Sequence, residues 1–510
     1  MFCQKLTMLT AEKLELLHSA IFENILERNR FCLSDEVINI IEELLPKSIA
    51  NVVALAKSEQ PDPSWNLISL CLLHLSCLQN VCQSFSTQEI YKVQLRDKWL
   101  RSEILIDALF DLVLLKSLVL QNTAIVTITK VVNALSTASH VYQEWVDKIC
   151  HFISACGDDE FFTAVEIMTN VLTSGQKEGK IPINEMSTKL IHLIQKSALL
   201  IQKDCSDVNF AAYLDLLHAI FASNEIPEDT FITSSESVLL NFSNACKHSV
   251  ITTKYLKLVK HILPLSTNAR ARSSCVKKFA AELFSAMVAG IPKSVQHKPG
   301  EHGFGGAKKV EAKQSCSSPD VMLMVNILLK CIALTDCGNS LVPEKATICI
   351  KILLCANSKN PQQSSLENEL LEFYFEQDDL LIEFLLLHLL ISTSSAKTLE
   401  KPAFCGFSPH QAFLSLVQRL AFDNSILLDW LTSEETQFLL YFIKYIKYCH
   451  KTQNDLLAEC KRCNATSSLN EMLIKLKKSI ERLSATNLFP YSAKPLLRNI
   501  DLFLAIVKPV

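Results

Sequence analysis

The sequence predicts an all-α protein: an irregular α-solenoid of armadillo or HEAT type, a helical array with a C-terminal helical hairpin segment. Three observations predict it. Apolar residues make up 49% of the 510 residues and recur with helical spacing. Glycine and proline number only 10 and 16, low against average usage, and helices need little of either. Strand-like alternation is scarce, and no Asn-Gly or Asp-Gly hairpin turn occurs.

Taken along the chain, Leu14, Leu17, Ala20 and Ile21 form a first apolar stripe. Phe413, Leu416, Val417, Leu420 and Ala421 form another, and Phe438, Leu439, Phe442, Ile443 and Ile446 a third. Breaks are expected at Pro46, Pro61–Pro63, Gly175–Pro182 and Pro227–Asp229. Thr432-Ser433-Glu434-Glu435 reads as a capping box opening the helix that carries Phe438. No exact repeat unit survives, which excludes a strict tetratricopeptide or ankyrin array. Irregular helices stacked side by side fit instead, with a compact multi-helix globule as the alternative. The pattern divides into a helical array over 1–291, a Gly- and Lys-containing loop over 292–319, a continued array over 320–451 and a terminal segment over 472–510. Weaker polar breaks are expected at Thr452–Asn470 and Ser358–Ser365.

Lys and Arg number 50 against 53 Asp and Glu, a net charge of -3, so no global field draws in nucleic acid or anionic lipid. The 19 cysteines are an odd count in a large chain. Many sit in apolar helical runs, such as Cys71, Cys77 and Cys82, or Cys331, Cys349 and Cys355. They read as reduced, buried small hydrophobes of an intracellular protein. Met1–Thr10 holds one lysine and no long apolar core, unlike a secretory signal. The greasiest stretches, Ile104–Leu120 and Leu380–Ile391, are interrupted by Asp107, Asp111, Lys116, Glu383 and His388. They read as core helices and not as membrane spans.

Motifs that would carry chemistry fail on context. Gly300–Lys309 is glycine-rich, but it follows no strand and lacks the Gly-Lys-Ser/Thr entry of a phosphate loop. Cys460-Lys461-Arg462-Cys463 is a lone C-x-x-C with no second ligand pair. His74 and His388, inside apolar runs, read as hydrogen-bonded core histidines. The expectation is therefore no enzyme, no cofactor and no metal.

Charge is uneven. Pro361–Ala396 holds seven acids and no Lys or Arg, whereas fourteen Lys and Arg face nine acids from Lys401 onward. The acidic helix start either holds the basic C-terminal region or each patch recruits a partner, with solvated faces as the plain alternative. Tyr441, Tyr445 and Tyr448 recur at helical spacing between Lys444, Lys447 and Lys451. Such a face suits an interface and equally a wide core face with lysines reaching out. Near the end, Ile474, Leu476, Ile480 and Leu483 mark a helix, Asn487 a cap or turn, and Pro495 the first turn of another helix. Phe489 and Tyr491 flank Pro490 and read as a staple across the terminal hairpin, with a docking knob as the other reading.

Several blocks, in order, resemble the Lines family. They are Gly303-Phe304-Gly305-Gly306, Ser318-Pro319-Asp320, Phe375-Glu376-Gln377-Asp378-Asp379, the run Phe422–Thr436, Asn487-Leu488-Phe489-Pro490-Tyr491 and Pro495-Leu496-Leu497. The likeness covers the second half of the chain, and the family's connection before the terminal signature is longer than Thr452–Asn470 here. The resemblance implies a nuclear or cytoplasmic developmental regulator linked to Wnt-type signalling and transcriptional control, without catalytic residues to transfer. The function expected is a helical adaptor that binds regulatory proteins and no membrane; a nucleic-acid-associated factor using the basic C-terminal region is the alternative. Phe375, Asp378, Asp379, Tyr441, Tyr445, Lys447, Phe489 and Tyr491 are the candidate contact or organising residues.

Overall fold

The computed structural model describes residues 45–58, 68–79 in part, 103–115, 117–134, 140–177, 186–203, 206–224, 226–245, 249–263, 273–296, 318–335, 341–357, 366–395, 406–433 and 436–508. The Leu14–Ile21 stripe, the Pro61–Pro63 break, Cys77, Cys82, the Gly300–Lys309 stretch and Ser358–Ser365 lie outside them. Among the described residues every regular element is a helix. The chain forms two compact units, Met1–Ser235 and Glu236–Val510.

The first unit holds α1 (Leu45–Ser58), α2 (Glu103–Val113), α3 (Leu118–Ala134), α4 (His140–Ala155), α5 (Asp158–Lys177), α6 (Met186–Lys203) and α7 (Asp207–Ser223). The boundary falls within α8 (Glu228–Leu239). The second unit holds α9 (Phe242–Ala245), α10 (Ser249–Ile262), α11 (Ser274–Gln296), α12 (Ser318–Leu334), α13 (Leu341–Asn357), α14 (Leu366–Tyr374) and α15 (Asp378–Ser395). It continues with α16 (Pro409–Arg419), α17 (Asn424–Thr432), α18 (Phe438–Lys451), α19 (Gln453–Arg462), α20 (Thr466–Ala485) and α21 (Ala493–Val507).

Local chemistry sets many of these bounds. Ser206 caps α7 by accepting from the Asn209 N–H at 3.2 Å, and Asn224 ends it in the left-handed region at φ 56°. Ser408 and Gln411 form a reciprocal capping box at the start of α16, ahead of Pro409 in its first turn. The box expected at Thr432 does not form. Thr432 is the last residue of α17, and its hydroxyl donates back to the Leu428 and Asp429 carbonyls, both at 3.1 Å. The helix carrying Phe438 starts without a side-chain cap. Ala421 leaves the expected stripe, because α16 stops at Arg419 and both Ala421 (φ 51°) and Phe422 (φ 57°) turn left-handed. The Phe422 N–H bonds the Val417 carbonyl at 2.8 Å to close that turn.

Two further differences concern breaks. α11 passes through Pro292, at the loss of one i→i−4 bond, and runs to Gln296, so the loop expected from residue 292 starts later. The polar stretch Thr452–Asn470 is not a break: it holds α19 and the start of α20. α19 buries only Leu456 and Cys460, too thin a stripe to read as a helix.

Packing follows chain order, as in stacked helical arrays. In the first unit α3, α5 and α7 touch in turn, and α4 touches α6. In the second, α9, α11 and α13 touch in turn. The step then lengthens to three: α12 touches α15, α15 touches α18, and α18 touches α21. The same step relates α16 to α19 and α17 to α20. So α16–α18 and α19–α21 are two consecutive three-helix layers, armadillo-like in their stacking. α12 and α15 are apolar almost all round and lie buried along nearly their whole length, as central helices must.

Candidate partner-binding surface

The three-step series α12–α15–α18–α21 places most of the candidate residues. α18 turns Phe438, Tyr441, Phe442, Tyr445, Ile446 and Cys449 inward. The Tyr445 ring lies 4.3 Å from Phe413 of α16 and 5.9 Å from Phe503 of α21, centroid to centroid. Its hydroxyl is 3.2 Å from Nδ1 of His410, whose Nε2 is 2.9 Å from the Thr452 hydroxyl. Burial holds His410 down to about 4, against the pull of Asp455 and Glu459, so the ring is neutral at pH 7. Tyr441 and Tyr445, 1% and 0% exposed, therefore organise the core and offer no surface to a partner. Tyr448 is half-buried and Lys447 is exposed on the outer side of the helix.

The Phe375–Asp379 corner divides in the same way. Phe375 is 43% exposed. The Asp378 carboxylate accepts from the Asp379 N–H at 2.8 Å and the Trp430 indole at 3.2 Å, pinning α17 to the start of α15. Asp379 lies 4.0 Å from Lys260 of α10. One turn on, Glu383 is buried and meets Lys330 at 2.9 Å, Lys260 at 3.3 Å and the Asn326 amide at 3.0 Å. The Tyr374 hydroxyl donates to Asn326 Oδ1 at 2.9 Å. Burial alone would push the Glu383 carboxyl up, but Lys330, Lys260 and Asn326 together hold it below the usual carboxylate range. Asp379 and Glu383 thus face the lysines of α10 and α12, whereas Asp378 bonds Trp430 of α17, within the region that follows Lys401.

The terminal hairpin exposes apolar groups among cations. Asn487 turns left-handed at φ 55°, and the Leu488 N–H bonds the Leu483 carbonyl at 2.9 Å, closing α20. Phe489 folds inward and is 8% exposed, as a staple; its ring meets the edge of Tyr491 at 6.2 Å. Leu488 and Tyr491 face out, 71% and 41% exposed. Ile474, expected in the buried stripe, is 39% exposed. Lys477 crosses to Asp501 at 2.6 Å and ties α20 to α21. α21 buries Ala493, Leu496, Ile500, Phe503 and Val507. Its opposite face presents Lys494, Arg498 and Leu502 to solvent. Those three are absent from the sequence-derived candidates, although their i, i+4, i+8 spacing was there to read.

Other chemistry-bearing residues do not assemble a site. Among the described residues no group of three or more His, Cys, Asp and Glu is placed to hold a metal ion. Cys460 is buried, with its thiol pushed up to about 11 by burial, and the half-buried Cys463 is also raised. His74 is held at 2.8 Å from the Ser48 hydroxyl, and His388 stacks on Phe407 at 4.7 Å. Cys71, Cys331 and Cys349 are buried as expected, but Cys355 is exposed because it falls on the outer face of α13. Among the described residues no helix is long and apolar enough to cross a membrane.

Fold and surface together define, among the described residues, a stacked helical array whose α20–α21 hairpin is cationic and partly apolar. The model for the Lines N-terminus matches residues 151–460 and the model for the Lines C-terminus matches residues 471–503, so the chain belongs to the Lines family. It is similar to Protein Lines homolog 1 of Mus musculus, 36% identical over 115 residues, covering 20% of this chain and 15% of that protein. The Homo sapiens Protein Lines homolog 1 is 38% identical over 69 residues, 14% of this chain and 9% of that protein. Protein lines of Drosophila melanogaster is 29% identical over 140 residues, 26% of this chain and 16% of that protein. The aligned stretches therefore span less than a fifth of each relative. A solved circular tandem repeat protein with novel repeat topology and enhanced subunit contact surfaces superposes on 97% of this chain and 88% of its own. Its TM-score of 0.24 and 10% identity carry no weight for the fold, which rests on the helices themselves.

Proposed function

We infer that this chain is a non-enzymatic helical adaptor that acts by binding other regulatory proteins through its C-terminal surface. Family membership supports a developmental regulator, and the Lines resemblance extends that reading to Wnt-type signalling and transcriptional control in the nucleus or cytoplasm. One observation carries the binding role. The terminal hairpin exposes Leu488, Tyr491 and Leu502 beside the cations Lys494 and Arg498, on a layer that is otherwise well packed. Exposed apolar side chains of this size set among cations mark interaction sites more often than plain surface. Phe375 and Lys447 are secondary contact candidates, while Asp378, Asp379, Tyr441, Tyr445 and Phe489 hold the scaffold in shape.

Proximity labelling in cells tests this, comparing the chain with a Leu488→Ser/Tyr491→Ser variant of equal abundance. The adaptor reading expects a discrete set of proteins to drop out for the variant and to rebind the purified parent chain. Identical labelling by both forms would refute it.

A further inference from the structure

We propose that the outer face of α21, with the Leu488–Tyr491 turn, is a seat for an acidic amphipathic helix of a partner protein. The proposal rests on the adaptor reading and names the chemistry of its partner. Two independent observations lead to it.

The first is the stacking rule. From α12 onward each third helix packs on the last, and each is covered in turn by its successor. α21 packs on α18, α19 and α20, and its far side is uncovered among the described residues. Lys494, Arg498, Leu502 and Ala505 succeed one another by three or four residues, so they form one stripe along that side, and the exposed Tyr491 lies in the turn just before the helix. A stripe of that length matches a few turns of a partner helix laid against it. Leu502 on this side and Tyr491 beside it are 40% and 41% exposed.

The second is charge. Between Thr436 and Lys508 the sequence holds twelve Lys and Arg against five acids. Glu459 binds Arg462, Glu471 binds Lys475, and Glu481 and Asp501 both lie against Lys477. The acids closest along the hairpin are thereby engaged, and Lys478, Arg482, Lys494 and Arg498 make no ion pair with any described acid. A partner face that alternates leucine- or phenylalanine-type side chains with carboxylates satisfies both the stripe and its rim.

Two other occupants fit less well. A second copy would bring more of the same unpaired cations to the contact and no carboxylate stripe to meet Lys494 and Arg498. Nucleic acid would be drawn to the same cations but would leave the exposed leucines unused.

The test is fluorescence anisotropy with the full chain and labelled probes. The first probe is a 20-residue peptide with Leu and Phe at helical i, i+3, i+4, i+7 spacing and Glu and Asp elsewhere. A scrambled peptide of the same composition, a Lys-for-acid version of the first, and single- and double-stranded DNA are the comparisons. The proposal expects the patterned acidic peptide to bind at least tenfold tighter than each comparison. Lys494→Glu/Arg498→Glu and Tyr491→Ser/Leu502→Ser should each weaken it at least tenfold, with unchanged circular dichroism melts. No binding, equal binding of the scramble or of DNA, or indifference to either pair of substitutions would overturn it. Proximity partners that are lost with Leu488→Ser/Tyr491→Ser while the acidic peptide fails to bind would leave the adaptor reading standing and remove this one.

Discussion

Replacing Lys330 by methionine strands a buried carboxylate, and the arrangement around it sets the size of the effect. Glu383 sits inside the α10–α12–α15 packing with its side chain 8% exposed, and Lys330 beside it is 4% exposed. Removing one partner of such a pair costs roughly 3–5 kcal/mol. Lys260 at 3.3 Å and the Asn326 amide at 3.0 Å remain, which places the loss near about 3 kcal/mol. That corresponds to roughly 150-fold faster exchange of the most protected amides of α12 and α15. Hydrogen exchange reads this locally and suits a chain of two units, whose urea transition need not be two-state. Lys330→Met/Glu383→Met should recover most of the loss, because a well-packed apolar pair replaces a buried ion pair at little cost. The sign with pH follows. The Glu383 carboxyl is held below its ordinary value of 4.5, so its contribution is full above that value. It is lost as pH falls through the lower folded value, and Lys330→Met should blunt that acid limb. A single substitution that changes exchange less than about fivefold, roughly 1 kcal/mol, or a double variant weaker than the single, refutes the reasoning.

Three further outcomes are expected. His410, held to about 4 in the fold against an ordinary 6.5, binds a proton in the unfolded chain first, so stability falls between pH 6.5 and 4. Over that window the loss is about 3 kcal/mol. Melting temperatures should follow that slope, and His410→Gln should flatten it. Ala421 is exposed and left-handed at φ 51°, so Ala421→Gly should stabilise its surroundings by about 1 kcal/mol, read as slower hydrogen exchange of the protected amides of α16, where an ordinary helical alanine would lose as much. Among the described thiols, the exposed Cys355 should be alkylated first, while Cys331 and Cys449 should react only on unfolding, as mass spectrometry would show.

Helical periodicity made the fold class legible because it reports burial directly. α18 and α21 could be read from their spacing, and so could the Asn487 turn and the Phe489 staple. Three things could not be read. α19 buries two side chains and looks like a loop, since its stability comes from neighbours and not from its own stripe. The left-handed turn after α16 uses alanine and phenylalanine, so no glycine announces it. The Glu383 centre joins α10, α12 and α15, and periodicity within one helix says nothing of which distant lysine will meet a lone acid. The surface was legible only in part for the same reason. The tyrosines of α18 balance between core and interface until Phe413, Phe503 and His410 are seen around them. Leu502 looks like any helix leucine until the buried side of α21 is known.

Removing the same ring at two positions puts the central claim at stake, namely that packing turns one set of aromatics inward and leaves the terminal face for a partner. Thermal melts of Tyr445→Ala and Tyr491→Ala, run side by side, give the most direct reading. Tyr445→Ala should lose roughly 3–5 kcal/mol, as large buried aromatics do, and Tyr491→Ala should stay within about 0.5 kcal/mol of the parent. Equal losses, or a Tyr445→Ala chain as stable as the parent, would contradict the account.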